Sequence, residues 1–319
     1  MCLLISLFSY YIFQHYLQNT LIQSTETSLR LLSESIDSSI NDVYRLVRYC
    51  QTDSNIAKYI EHNPNPGSVL SVSTYDSFSE ECSRNGAYNY MPRIAVVSQE
   101  HYLQVVATTY SSTADLAEQI PLLSYYEELL TADDYDFSTG IIADPFHRAG
   151  RKVLPILRPI TYQYNSKQAG YLFIEVSTDL FTTPLKDYSC PEDSYLYLTI
   201  AGHSYIYEDN ELREYEPEYN LKEDMSSHSL TGDTQISRIH SQAKGEQILV
   251  TTPLNMPDCY LSQSISHAEQ TNQAVLFIGI LACILIGILS IGIVLMLLMN
   301  RMITVPVSHL QSRMKRIAE

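Results

Sequence analysis

Apolar residues recur at three- and four-residue steps through Leu29, Leu32, Ile36, Ile40, Val43 and Val47, with Ser, Thr, Asp and Asn filling the intervals. That period puts them on one stripe of an α-helix. No proline or glycine interrupts the pattern until Asn63-Pro-Asn-Pro-Gly67, a combination that stops helices. A helix is therefore predicted over residues 14–62. At 1.5 Å per residue it reaches about 70 Å. Its lower part, with sparse leucines, suits a dimer stalk; its upper part should pack on a sheet.

Beyond Gly67 short β-rich runs take over, separated by turn signals. They are Arg93–Val97, Tyr102–Thr108, Gly140–Ala143, Val153–Tyr162 and Gly170–Ser177, with a helical piece at about Ala114–Leu130. A second set follows Pro184: Ser194–Ile200, Ser204–Tyr207, Ile236–Ser241, Glu246–Thr252 and Cys259–Ile265. Ala201-Gly202 marks a hairpin turn, and Glu208–Thr234 reads as a polar loop. Strands mixed with helices and hairpins point to an α+β fold with antiparallel sheets.

The pattern ends in an apolar run, Ala274–Met299, without a charged side chain. About 20 helical residues cross a bilayer core, so this run is long enough to span. Residues 1–13 are also apolar but too short to span alone, and they lack the basic start and cleavage site of a secretory signal. They are expected to be the outer part of a truncated first transmembrane helix; a complete, uncleaved anchor is the alternative.

Charge orients the chain. Arg301, Arg313, Lys315 and Arg316 follow the long run, with Glu319 as the one acid there. Basic flanks mark the cytoplasmic side, so the large segment is expected outside the cell membrane and the C-terminus inside. The whole chain carries net charge −16, and with the basic tail removed the outer segment is more acidic still. Such a surface excludes nucleic acid and anionic lipid surfaces as partners of that segment; solubility explains it.

Four cysteines lie in the outer segment: Cys50, Cys82, Cys190 and Cys259. Disulfides persist in that compartment, and four cysteines allow three connectivities. Cys50–Cys82 with Cys190–Cys259 keeps each pair inside one unit. Buried free thiols are the alternative, above all for Cys50 on the apolar helical stripe. In the long run Gly279, Cys283 and Gly287 sit four apart, a small-residue face that lets transmembrane helices pack closely.

No Gly-x-Ser-x-Gly, His-Glu-x-x-His, Walker loop or Cys-x-x-Cys motif occurs, so no catalytic residue, metal or cofactor is expected. The nine histidines are scattered.

The order of these parts carries a resemblance. Ala169-Gly-Tyr-Leu-Phe-Ile-Glu-Val176 resembles the strand closing the membrane-distal unit of double Cache domains, the PAS-like sensors of bacterial receptors. Tyr195–Tyr207 resembles the first hairpin of the membrane-proximal unit, and Thr252-Pro-Leu254 with Tyr260–Ile265 its last strand pair. The cytoplasmic end, with Pro306, Val307, Leu310, Met314 and Ile317, resembles the opening of a HAMP linker. Proline suits the first turn of a helix and the four apolar residues form a seam. The layout is similar to sensor histidine kinases of the YesM-like type. The organisation implied is a truncated transmembrane helix (1–13), a stalk helix (14–62), a distal Cache unit (63–188), a proximal unit with exit helix (189–273), a transmembrane helix (274–299) and the start of HAMP (300–319).

The resemblance also implies a ligand site. Tyr125-Tyr126 stands at the Trp-Tyr position of double Cache pockets. Asp144-Pro-Phe146 and Arg158-Pro-Ile160 resemble the loop and strand facing the same pocket, and Glu175 stands where an aspartate often grips a ligand amine. The amino-acid-binding version has an Arg just before the aromatic pair; here Ser124 occupies that place. Each residue also has a purely structural reading, since tyrosine is abundant in this chain and Arg158 can serve as a strand ion-pair partner.

The expected function is the extracellular sensory and transmembrane region of a two-component histidine kinase. It binds a small extracellular solute as a homodimer, sits in membrane lipid and reaches a response regulator only through the kinase part. Alternatives are the input region of a methyl-accepting chemoreceptor or cyclic-dinucleotide enzyme, or an anchored surface adhesin or hydrolase.

Overall fold

The structure is a computed structural model that describes residues 2–105, 115–131, 139–146, 150–161, 168–190, 194–215, 234–241, 245–304 and 307. Two compact units divide the chain: Ile22–Ser266, and Met1–Leu21 together with His267–Glu319. In the HAMP-like stretch only Val307 falls within the described residues; Pro306, Leu310, Met314 and Ile317 lie outside them.

In the second unit α7 (His267–Met299) carries the apolar run and ends in a π-helical turn, Asn300–Thr304. Ile278–Met302, at mean hydropathy 3.0, is long and apolar enough to cross a membrane. Gly279 and Gly287 have no heavy atom within 4 Å of where a Cβ would stand, and Cys283 is exposed, so the small-residue face is open.

The long helix α1 spans Cys2–Thr52, and α2 (Ser54–His62) follows after a break that the periodicity does not announce. Asp53 makes the break. Its backbone is extended, and its carboxylate accepts from the N–H groups of Asn55 and Ile56, the bonding of an N-cap. The stop after His62 is as expected: Asn63 caps α2 at φ 42°, a left-handed conformation asparagine tolerates.

Helix α3 (Val69–Arg84) occupies a stretch to which the sequence pattern assigns no element. Its buried positions, Ser71, Thr74, Phe78 and Cys82, do repeat at three and four residues. Two of them are hydroxyl residues, so the stripe is hidden from an apolar count. Ser68 starts the helix by accepting from the Ser71 N–H.

Five antiparallel strands make the first sheet, in the order β2 (Tyr102–Val105), β1 (Arg93–Val97), β5 (Gln168–Ser177), β4 (Lys152–Thr161), β3 (Ile142–Ala143). Six make the second: β8 (Glu211–Glu214), β7 (His203–Glu208), β6 (Leu196–Ile200), β11 (Tyr260–Ser266), β10 (Gly245–Pro253), β9 (Gln235–Ser241). The β6–β7 turn places Ala201 at φ 50° and Gly202 at φ 84°, the pair of positive φ values that a tight hairpin uses. Strand β8 falls inside the segment read as loop. The predicted helix before residue 130 is split into α4 (Leu116–Gln119), a 3-10 turn carrying Pro121 and α5 (Tyr126–Thr131).

The α1 stripe belongs to one continuous core with the inner faces of both sheets. Leu29, Ile36, Ile40, Val43 and Val47 cluster with Ile94, Leu172 and Ile174 of the first sheet and with Leu198, Val250 and Leu261 of the second. Each buried leucine or isoleucine contributes about 1.5–3 kcal/mol. Polar ties hold the same arrangement: the Asn255 N–H donates to Asp37 Oδ1 at 2.8 Å.

Neither expected disulfide is formed. Cys50, Cys82, Cys190 and Cys259 are not bridged to one another. Cys50 and Cys82 lie together in the core, where burial pushes the Cys50 thiol well up and that of Cys82 up to about 12. Burial raises Cys190 to about 11. A thiol held protonated in an apolar core behaves as a small hydrophobe, because the thiolate is the reactive species.

Candidate ligand-binding site

A strand pair alternates between two faces, and β1 and β5 show what that alternation does here. Ile94, Val96, Leu172, Ile174 and Val176 face the helices of the main core. Arg93, Ala95, Val97, Tyr171, Phe173 and Glu175 line the opposite face, where α4 and α5 close over a second, smaller core. At one end of that face Arg93 and Glu175 are directly paired across the strands, and Pro155 of β4 is the next residue in the row.

Both charged residues are buried, Arg93 at 3% exposure and Glu175 at 0%. Arg93 Nη1 donates to Glu175 Oε1 at 3.2 Å and lies 3.8 Å from Asp144 Oδ1. Asp144 arrives from the loop after β3. Its carboxylate accepts from the Phe146 N–H at 2.8 Å, an Asx-turn, and its own N–H donates to the Arg151 carbonyl. The turn carries Phe146 over the guanidinium, 4.7 Å from carbon to ring centroid, a cation–π contact. Phe146 then meets Phe173 edge-on at 5.9 Å.

Two carboxyls thus share one guanidinium. Among the described residues, Arg93 Nε and Tyr125 Oη, both buried, have no hydrogen-bond partner, and buried Glu175 Oε2 has only the neighbouring Asp144 carboxyl to turn to. Burial raises the Glu175 pKa to about 8; Arg93 opposes the shift and Asp144 adds to it. Burial likewise pushes the Tyr125 phenol upward, with Glu175 and Asp144 adding and Arg93 opposing. Tyr125 therefore shares the electrostatic neighbourhood of all three charged groups.

Of the five residues singled out from the sequence, Tyr125, Asp144 and Glu175 come together. Tyr126 stands further along the face, edge-on to Tyr171 at 5.6 Å. Four residues of strand separate Tyr171 from Glu175, about 13 Å. Arg158 is placed differently. It is in register with Leu172 across the strands, and its Nη1 donates to the carbonyls of Leu129, on α5, and of Leu157. Arg93 and Phe146 complete the group, and sequence reasoning gave Arg93 no role. A signal was present: β1 and β5 each carry one charged residue in an otherwise apolar run, and buried charges are paired.

No protein-family profile and no curated protein matches the chain. Solved structures do. One is a methyl-accepting chemotaxis protein X, at 12% identity and TM-score 0.51, covering 79% of this chain and 99% of that one. A second is the domain of a protein assigned to the sensory box/GGDEF family of Vibrio parahaemolyticus, at 13% identity and TM-score 0.50, covering 79% and 98%. A third is the extracellular domain assigned to a histidine kinase, rpHK1S-Z16, at 13% identity and TM-score 0.50, covering 76% and 95%. The fold is the double Cache-type sensory fold. In that fold the charged face under α5 belongs to the first of the two sheets, where the resemblance of Glu175 and Tyr125 to pocket residues had placed a ligand.

Proposed function

We propose that this chain is the extracellular sensory and transmembrane region of a two-component histidine kinase, and that the first sheet binds a small solute through an amine. The observation that carries the ligand class is a pair of buried carboxyls around one buried guanidinium: Glu175 and Asp144 flank Arg93, Arg151 acts on Glu175 only from a less buried position, and among the described residues no cation reaches Glu175 Oε2. A buried carboxylate left uncompensated is expensive. An ammonium group beside Oε2 supplies the missing charge and hydrogen bond, while Tyr125 and Phe146, both half-buried, stand at the rim as aromatic walls. Pockets with apolar walls and a few aimed polar groups are the usual form of small-molecule sites.

Binding favours one of two shapes of the Ile22–Ser266 unit, and differential affinity sets how far the population moves. The signal then passes through α7 in the cell membrane to a HAMP linker beginning near Val307, with the C-terminus cytoplasmic, residues 1–13 as part of a first span and Gly279, Cys283 and Gly287 packing the dimer. The same fold in a chemotaxis protein supports the receptor reading equally for a chemoreceptor output, and the chain after Glu319 separates the two.

The test is calorimetry on the full chain in lipid nanodiscs with a panel of primary amines and their amine-free counterparts. An amine should bind and release protons near neutral pH as Glu175 ionises, so the heat should depend on the buffer. Amine-free counterparts binding as well, or binding that survives Glu175→Gln unchanged, would remove the site. Protease added to intact cells should cut within residues 60–260; protection of that region would remove the topology.

A further inference from the structure

The second sheet has an outer face that is polar, as if for water, and yet buried. A half-exposed antiparallel sheet turns an apolar face to the core and a polar one to solvent. Leu198, Ile200, Ile248, Val250, Leu261 and Ile265 are the core side. On the other side β6, β11 and β10 present Thr199, Ser262, Ser264, Gln247 and Thr251, and β7 adds Ser204. The first five are between 0% and 4% exposed, so this face is closed from solvent.

Hydroxyls there bond one another: Thr251 to Ser262 at 2.9 Å and Thr199 to Ser204 at 3.3 Å. Ser264 Oγ accepts from the Tyr195 N–H. Gln247 differs: among the described residues its buried Nε2 has no partner. An unmet buried amide costs about 1–3 kcal/mol, which a structural role does not explain. Beside these groups Tyr195, Tyr197 and Tyr215 form a line of rings, with centroids 6.3 and 5.4 Å apart and planes tilted by 39° and 31°. Tyr197 and Leu249 are buried beneath them in a small cluster separate from the main core. No Asp, Glu, Lys, Arg or His stands on this face of β6, β11 or β10.

We infer that this face is a second ligand site, and that it takes a neutral polyhydroxylated solute of monosaccharide size. The chemistry is that of sugar recognition: aromatic rings for C–H faces, hydroxyls that both donate and accept, a free amide donor, and no charge to demand a counter-ion. It is independent of the amine site on the first sheet, which is charged and built from other strands.

The experiment uses the full chain in nanodiscs free of glycosidic detergent. Saturation-transfer NMR and calorimetry would be run with D-glucose, D-galactose, D-ribose and myo-inositol. At least one should bind saturably with a Kd below about 1 mM. Gln247→Leu should weaken it at least tenfold while leaving the melting temperature equal or higher, and Thr199→Val should weaken it at least tenfold as well. Glu175→Gln should leave it unchanged. No saturable binding by any of the four, binding indifferent to Gln247→Leu, or binding lost only in Glu175→Gln would overturn the assignment. Failure of the amine site leaves these outcomes unaltered, because no shared residue enters both.

Discussion

The outer face of the first sheet gathers its polarity into one row, Arg93 and Glu175 with Asp144 above them. The second sheet spreads hydroxyls and one amide across three strands and carries no charge there. Both faces are buried, and both hold polar atoms without partners. The difference is in what each demands. A charged cluster whose carboxyls outnumber its cation titrates and selects for charge; a hydroxyl ladder satisfies most of its own hydrogen bonds and selects for shape. If both proposed sites hold, the two sheets offer two ligand chemistries, because the inner face of each is fixed by packing while the outer face is free to vary.

Four measurements break or sharpen that contrast. The largest effect is expected from Glu175→Gln, which should weaken amine binding about 10- to 100-fold, the worth of a hydrogen bond to a charged group. Amine affinity should rise as pH climbs toward 8, because deprotonation of Glu175 precedes that of the ligand ammonium. If both faces answered equally to this variant, they would be one site.

Stability should show the next effect. Glu175 has a folded pKa of about 8, raised by burial, against 4.5 unfolded. The folded state therefore holds the proton longer. Its stabilising contribution is complete below pH 4.5 and is lost as pH rises through 8. The slope is at most about 1.4 kcal/mol per pH unit, read by urea melts across that window. Glu175→Gln should flatten it, while Gln247→Leu should not.

Gly140→Ala should cost about 1–2 kcal/mol, since Gly140 sits at φ +61°, a region unfavourable to residues with a Cβ. An added Cβ would also stand 2.8 Å from Tyr205 Oη. The smallest effect, about 1 kcal/mol, is expected from Tyr205→Phe, which removes one half-buried hydrogen bond. Thermal melts give both, and titration of each variant with the amine shows whether the first face feels a change made in the second sheet.

Much of this was legible in the sequence. The β-rich runs Gly170–Ser177 and Glu246–Thr252, the Ala201-Gly202 turn and the Leu29–Val47 stripe each gave their element, because apolar residues fill most of the buried positions there. Helix α3 did not show itself, since Ser71 and Thr74 hold buried places that an apolar count passes over. The break at Asp53 depends on a carboxylate turning back to two N–H groups, and its sequence is that of an ordinary polar helical position. At the site, Glu175 and Asp144 were found by resemblance, and Tyr125 with them. Arg93 was missed because its partner lies 82 positions away, a pairing fixed by strand register. Arg158 lies apart from the Arg93 cluster, its Nη1 taken up by the Leu129 and Leu157 carbonyls.

The phenol of Tyr205 is a splice between the two sheets. Its oxygen receives the N–H of Ile141 at 2.9 Å, and Ile141 stands three residues before Asp144, with the two residues of β3 between them. Lys152, on the neighbouring strand, reaches the Leu212 carbonyl at 3.0 Å. Under the amine reading, a ligand that drew the Asp144 turn toward itself would have either to tug the second sheet along or to snap one of these two bonds, which would make the seam a mechanical fuse.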